Sequence, residues 1–252
     1  ALAGIHVERI VNEPSAAALA SYFTANEEQN MLVFDFGGGT LDVSLVDCFD
    51  TMVEIVSVAG NNRLGGDDFD RLIAEHFLRE HGVARQQLRA QEYAVLLKQA
   101  ERCKKLLSEQ EEVVMHAMVG DQVYESTYTM DRLFEESKAL LKEIRQVIGR
   151  ALKDGKMTIH DVDLVVMAGG SSKMPLIQKY IRHLFHKAPM VQGNCDELIA
   201  LGLGLVCGVK ERKEEIKDYI LTDICPFSLG VATINEADPD RAYICLLYTS
   251  PS

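Results

Sequence analysis

No stretch of the 252 residues stays apolar long enough to span a membrane, and no signal-peptide pattern opens the sequence. Cationic residues are in short supply. Lysine and arginine total 26 against 38 aspartates and glutamates, a net charge of −12. A surface of that sign repels nucleic-acid phosphate and anionic lipid, so both are discounted as general partners. The six cysteines form no C-x-x-C pair, and none joins a histidine at zinc-site spacing. Cys48, Cys103, Cys195, Cys207, Cys225 and Cys245 fall mostly in apolar runs, which predicts buried free thiols and a reducing, cytoplasmic setting. No repeat recurs at solenoid periods, and no tract is of low complexity. None of the seven histidines stands near a Ser/Asp or Cys/Asn set, so no catalytic triad is expected.

What is present is an ordinary globular composition. Hydrophobic residues make up 47% and charged residues 25%, enough for a sizeable core in one large domain or two small ones. Ala1 to Ile5 reads as the middle of an element, so a fragment of a longer chain is expected.

The pattern alternates between strand and helix. Pro14 sits where a first helical turn tolerates a missing N–H, ahead of the small-residue run Ala16 to Phe23. Met31 to Phe36, Leu41 to Val46 and Val53 to Val58 read as a meander of antiparallel strands, with Leu41, Val43 and Leu45 on one face. Asp67 is a candidate N-cap for a helix carrying Phe69, Leu72, Ile73 and Phe77. Leu96, Ala100, Cys103 and Leu107 form the stripe of a second helix. Two strands near Val113 to Val119 and Val123 to Tyr128 follow, then one long helix over Asp131 to Leu152. A buried strand, Asp163 to Met167, runs into Gly169-Gly170, and Pro175 opens a helix through Leu184. A last helix starts near Asp196 and continues past Val209. Asp218 to Asp223 reads as an apolar linker, and Pro226 restarts a new element.

Three sites carry candidate chemistry. In Asp35-Phe36-Gly37-Gly38-Gly39-Thr40 a strand ends in three glycines and a hydroxyl. Such glycines let backbone N–H groups crowd against an anion, and Thr40 adds a donor. Asp35 and Asp42 flank the loop, and carboxylates beside a phosphate site normally act through Mg²⁺, often across its waters. The loop has neither the G-K-[ST] ending nor the G-x-G-x-x-G spacing, and a tight glycine hairpin fits it as well. The second site, Gly169-Gly170-Ser171-Ser172-Lys173, again places glycines between a buried strand and a helix, where anions and ligands gather. In the third, Glu101, Lys104, Lys105 and Ser108 share one helix face, which suits a ribose and a purine or a plain solvated surface. Glu13 is either a helix-start carboxylate or a catalytic one.

In this order the pieces resemble the DnaK-type chaperones, the seventy-kilodalton heat-shock family. The resemblance rests on Val7 to Ala18, on Phe34 to Ser44, on Leu64-Gly65-Gly66-Asp67-Asp68-Phe69-Asp70 and on Ala168 to Pro175. Asp223 to Gly230 is similar to the join between the ATPase and substrate-binding domains of that family. The likeness runs to about Val231, and from about Asp240 to Ser252 the sequence no longer follows the pattern.

The resemblance implies an α/β fold: the second lobe of an actin-like (ribonuclease H-like) ATPase with an inserted α+β subdomain. Residues 1–30 would end the first lobe, and 31–66 with 153–215 would form the second-lobe core. Residues 67–152 would be the insert, 216–223 the linker, and 224–252 a truncated start of the substrate domain. It implies ATP/ADP and Mg²⁺ as cofactors. Gly37, Gly38, Gly39 and Thr40 would contact the β- and γ-phosphates, and Asp35 and Asp42 would hold waters on the metal. Glu13 would place the attacking water or the metal shell. Gly169, Gly170 and Ser171 would touch the α-phosphate side and the nucleoside. Glu101, Lys104 and Ser108 would contact ribose and adenine, with Lys105 and Lys173 where the family usually has arginine. Asp196 would close the adenosine pocket. Unfolded polypeptides, a J-domain co-chaperone and a nucleotide exchange factor would be the partners. A further phosphate loop and an essential lysine of the first lobe are expected upstream of Ala1. Two rival readings stand beside this one: a non-catalytic interaction module, and a small-molecule kinase of the same superfold, which the linker-like Asp218 to Gly230 disfavours.

Overall fold

The computed structural model describes residues 4, 7, 10–25, 27–120, 122–191, 195, 197–213, 218–223, 229–235 and 238–248. Asp196 and the segment 224–228, both singled out in the sequence, lie outside the described residues.

A five-stranded mixed sheet forms the centre. Its order is β6 (Leu164–Ala168), β1 (Gln29–Phe36), β2 (Leu41–Phe49), β3 (Met52–Asn61), β7 (Ile220–Thr222). The expected meander is there: β1, β2 and β3 pair antiparallel. Outside it, β6 pairs parallel with β1 and β7 parallel with β3.

Period-two alternation sends side chains to two cores. Met31 and Val33 face one side, with α1 (Glu13–Ala25) and α7 (Leu198–Lys210). Leu32, Phe34 and Phe36 face the other, with α2 (Gly66–Glu80), α3 (Ala90–Leu106), α5 (Lys138–Asp154) and α6 (Pro175–Phe185). Helices on both faces explain why β2 is not half-exposed. Leu41, Val43 and Leu45 serve one core, and Val46 and Cys48 serve the other. A register shift at Leu45/Val46 reverses the parity of β3, so Val58 joins Val53 and Ile55 on the α1 face.

Four local readings change. The capping carboxylate of α2 is Asp68, not Asp67: its Oδ2 accepts from the Gly65 N–H at 2.7 Å, which makes Gly65 the N-cap. The expected long helix over Asp131 to Leu152 is two helices, α4 (Met130–Glu136) and α5, broken at Ser137. Ser137 is fully buried, and its hydroxyl donates back to the Phe134 carbonyl at 3.2 Å, the local bonding by which serine competes with helix. The linker is partly strand: Ile220, Leu221 and Thr222 pair with Met52, Val53 and Glu54. Tyr219 packs on the rings of Tyr22 and Phe23. Finally, Cys48, Cys103 and Cys195 are buried as expected, whereas Cys207 on α7 is exposed.

The hairpin of β4 (Glu112–Val119) and β5 (Gln122–Thr129) lies apart from the main sheet and joins α3 and α4. Its polar base is a network. The Arg132 guanidinium reaches Glu80 at 2.7 Å and Glu136 at 3.2 Å. His76 stands between them, one nitrogen 2.6 Å from Arg132 and the other 2.8 Å from Glu136. Burial and the Arg132 charge hold His76 below the usual imidazole range, so it is a structural histidine. Residues 229–235 and 238–248 form a separate two-stranded antiparallel ribbon, β8 and β9.

Candidate functional site

Parallel pairing of β1 with β6 decides where the two glycine sites meet. Asp35 is registered against Ala168, so both strands end on one edge and both loops leave from it. Gly169 has φ +80, and a Cβ there would strike the Phe36 carbonyl and the Asp35 carboxylate. Only glycine serves at that corner.

The turn Gly37–Thr40 is closed by the Gly37 N–H donating to the Thr40 carbonyl at 3.0 Å. Its carbonyls are held from the far side. Gly66 N–H donates to Gly37 O at 3.0 Å, and Asp67 N–H to Gly38 O at 2.8 Å. The first turn of α2 thus spends two of its unpaired donors on the turn. Gly65 lies flat against Gly38 and Gly39, where any Cβ would collide with backbone.

Two pockets lie beside this turn, one lined by Asp35 and Asp42 that flank it and one by Gly38. One is a cavity of about 260 Å³ lined by Asn12, Glu13, Pro14, Val33, Asp35, Asp42, Ser44, Val58 and Asp223. Asp35 and Asp42 are directly opposed across the β1–β2 ladder. Like charges so placed are unfavourable without a cation. Burial, then Glu13, then Asp42 push the Asp35 carboxyl up to about 6, and burial and Glu13 raise Asp42 as well. Asp223, at the end of β7, accepts from the Asn12 side chain and from Ser15 Oγ at 3.3 Å. An all-oxygen donor set in a space this small suits a hard cation with its waters. Among the described residues no three His, Cys, Asp or Glu side chains are grouped to hold a metal ion directly.

The other is a cavity of about 640 Å³, within the range of small-molecule sites. Gly38, Gly66, Asp67, Asp70, Glu101, Lys104, Lys105, Ser108, Glu109, Gly170, Ser171, Lys173 and Met174 line it. The α3 face, the 3₁₀ turn Gly170–Lys173 and the β1–β2 turn therefore border one space. Lys105 pairs with Glu101 at 2.6 Å at the exposed rim, and its ammonium holds Glu101 below the usual carboxylate range. Lys104 is buried against Asp70 at 2.7 Å.

Of the residues expected from sequence, Glu13, Asp35 and Asp42 come together in the smaller pocket. Gly38, Glu101, Lys104, Lys105, Ser108, Gly170, Ser171 and Lys173 come together in the larger. Gly37, Gly39, Thr40 and Gly169 line neither, though they build the turns between them. Asn12, Asp223, Asp67, Asp70, Glu109 and Met174 are wall residues not singled out as ligand contacts. Asp70 had a sequence signal, its place one turn after Asp67 on the same helix face; Asp223 had none, because only β7 pairing brings it to Asn12.

Mixed α/β architecture, two strand-end glycine turns and a cavity of mixed charge beside paired carboxylates fit a class that the family match below shows: an α/β domain of the actin-like ATPase type. Comparison with known proteins makes this specific. Residues 1–240 match the model of the Hsp70 protein family, and the chain belongs to that family. The match stops at residue 240, where the pattern was read to depart. The chain is 37% identical over 243 residues to the chaperone protein dnaK3 of Thermosynechococcus vestitus, covering 92% of this chain and 35% of that protein. It is 36% identical to the chaperone protein dnaK of Cyanophora paradoxa, covering 92% and 39%. It is 35% identical to the chloroplastic stromal 70 kDa heat shock-related protein of Pisum sativum, covering 92% and 34%. The chain therefore spans little more than a third of the length of these relatives. Among the described residues, no helix is long and apolar enough to cross a membrane.

Proposed function

We propose that the chain is the ATP-binding part of an ATP-dependent protein-folding chaperone, with the two pockets as the cation and nucleotide halves of one site. The observation that carries this is the convergence of three separately read segments on a single cavity around Gly38. Charge supports the same division. The smaller pocket holds the carboxylates Glu13, Asp35, Asp42 and Asp223 and no lysine, whereas Lys104, Lys105 and Lys173 all lie in the larger, among carboxylates of its own. A Mg-nucleotide supplies a cation and polyphosphate in that arrangement.

In this reading Asp35 and Asp42 hold the waters of Mg²⁺, and Glu13 orients a water toward the γ-phosphate. Gly38 would border the β- and γ-phosphates, with Gly37, Gly39 and Thr40 shaping the turn that presents it. Gly170, Ser171 and Lys173 border the α-phosphate and nucleoside, while Glu101, Ser108 and Lys105 border ribose and base. Mg²⁺, when bound, neutralises charge developing on the phosphates. The protein's part is to position and to exclude water, which supplies most of the acceleration in phosphoryl transfer.

At the level of the whole protein, nucleotide turnover drives capture of unfolded polypeptides, assisted by a J-domain co-chaperone and a nucleotide exchange factor. Three relatives named as chaperones or heat shock proteins support that assignment. A cytoplasmic location belongs to the same proposal, resting on the buried thiols of Cys48, Cys103 and Cys195. The test is single-turnover hydrolysis of ATP with Mg²⁺, by the chain and by its Thr40→Ala variant. Turnover abolished by the substitution supports catalysis; binding without turnover restricts the chain to the nucleotide-holding role.

A further inference from the structure

Lys104 lines the larger pocket, yet its ammonium is committed elsewhere. Nζ donates to the Gly66 carbonyl at 2.8 Å and pairs with the Asp70 carboxylate at 2.7 Å. Both side chains are about nine-tenths buried, at 8% and 10% exposure. The ammonium is thereby turned toward α2, one donor on the Gly66 carbonyl and its charge against Asp70. The bonds continue from there. Gly66 donates to the Gly37 carbonyl, and Asp67 donates to the Gly38 carbonyl. A short relay therefore runs from α3, through the corner Gly65-Gly66, into the turn that divides the two pockets. Gly66 also abuts Ser171 on the opposite wall, where a Cβ would collide with its hydroxyl.

We infer that Lys104 and Asp70 are positioning residues: their buried pair is a strut that fixes the Gly65-Gly66 corner, and through it the shape of the Gly37–Thr40 turn. This rests on the phosphate-pocket reading proposed above. A buried ion pair is a poor source of net stability, because desolvation offsets the attraction. Its use is directional. One charge-assisted bond holds the Gly66 carbonyl, and the Asp70 carboxylate holds the ammonium that makes it. Burial raises the Asp70 carboxyl while the Lys104 bond and charge oppose that rise, as expected of a carboxylate that depends on its partner.

The test is calorimetric titration of the 252-residue chain with Mg-ADP and with Mg-pyrophosphate, for wild type, Lys104→Met, Lys104→Arg, Asp70→Asn and the Lys104→Met/Asp70→Asn double variant. A strut predicts that each charge-removing single variant weakens both ligands alike, by about tenfold, and that the double is no worse than the poorer single. Lys104→Arg, which keeps charge and donors, restores part of the loss. If Lys104→Met weakens ADP but not pyrophosphate, while Asp70→Asn changes neither, the residue is a nucleoside contact and the strut is overturned. Wild type that binds neither ligand defeats the phosphate-pocket reading instead. Amide hydrogen exchange of the unliganded chain then decides the strut: faster exchange at Gly37, Gly66 and Asp67 in Asp70→Asn supports it, and unchanged exchange overturns it. Should Asp70→Asn fail to fold by circular dichroism, the apolar pair Lys104→Met/Asp70→Leu fills the same space. That pair folding with unchanged exchange at those amides overturns the strut, and faster exchange supports it.

Discussion

The two pockets beside the β1–β2 turn are built from opposite materials. The smaller draws on strand ends and the start of α1. Its carboxylates are crowded by register, since Asp35 and Asp42 oppose each other and Glu13 stands over both. The larger draws on helix faces and glycine turns, and two of its lysines face carboxylates, Lys105 with Glu101 and Lys104 with Asp70. The first pocket crowds like charges, with burial and Glu13 raising both Asp35 and Asp42; the second sets opposite charges side by side. On the proposed function, a metal would relieve repulsion on one side, while nucleotide binding on the other would depend on how firmly the turn is held.

The largest expected effect removes the wall itself. Gly65→Val forces a branched side chain into the Gly38 and Gly39 backbone. It should cost about 3 kcal/mol or more in denaturant unfolding and abolish binding in both pockets. A variant of wild-type stability that still binds would show that the turn is not packed as described.

Next comes the cation side alone. Asp35→Asn with Asp42→Asn should remove the Mg²⁺ enhancement of ADP affinity, a loss of about tenfold or more, with affinity in EDTA little changed. Equal losses with and without Mg²⁺ would erase the division between the pockets.

A smaller effect concerns pH. The Asp35 carboxyl stands at about 6 in the folded chain against an ordinary 3.8. The folded state then binds the proton more tightly than the unfolded state between those values, so stability falls as pH rises through that window. Asp35→Asn should stabilise the metal-free chain by about 1–2 kcal/mol at pH 7.5, once solvent screening of this half-buried group is allowed for. Below pH 4 the gain should vanish. Thermal unfolding of the two proteins at both pH values checks it, and saturating Mg²⁺ should shrink the difference.

The smallest is on the nucleoside side. Lys105→Arg keeps the ion pair with Glu101 at the exposed rim and offers a planar group to a base. ADP affinity should rise only a few-fold, with pyrophosphate affinity unchanged.

Much of this was legible in the sequence. Glycines after buried strands marked both turns, and the three-and-four spacing of Glu101, Lys104, Lys105 and Ser108 marked the α3 face. Long-range pairing was not legible. Nothing local announces that β6 adds parallel to β1, which is what brings Gly169 onto Asp35. Nor does anything announce that the apolar segment near Leu221 adds to β3 and delivers Asp223 to Asn12. The break at Ser137 escaped the helical pattern because the apolar periodicity continues through it, while the Ser137 hydroxyl bonds back to the Phe134 carbonyl at the end of α4. Lys104 illustrates the limit for function: its face was read correctly, whereas its partner Asp70 lies 34 positions earlier on another helix.

The central claim is that the two pockets act as one Mg-nucleotide site. Calorimetric titration of the folded chain with ADP, in Mg²⁺ and again in EDTA, tests it most directly. Saturable binding that Mg²⁺ strengthens about tenfold or more is the predicted result. No heat at millimolar ADP, or binding indifferent to Mg²⁺, would contradict it.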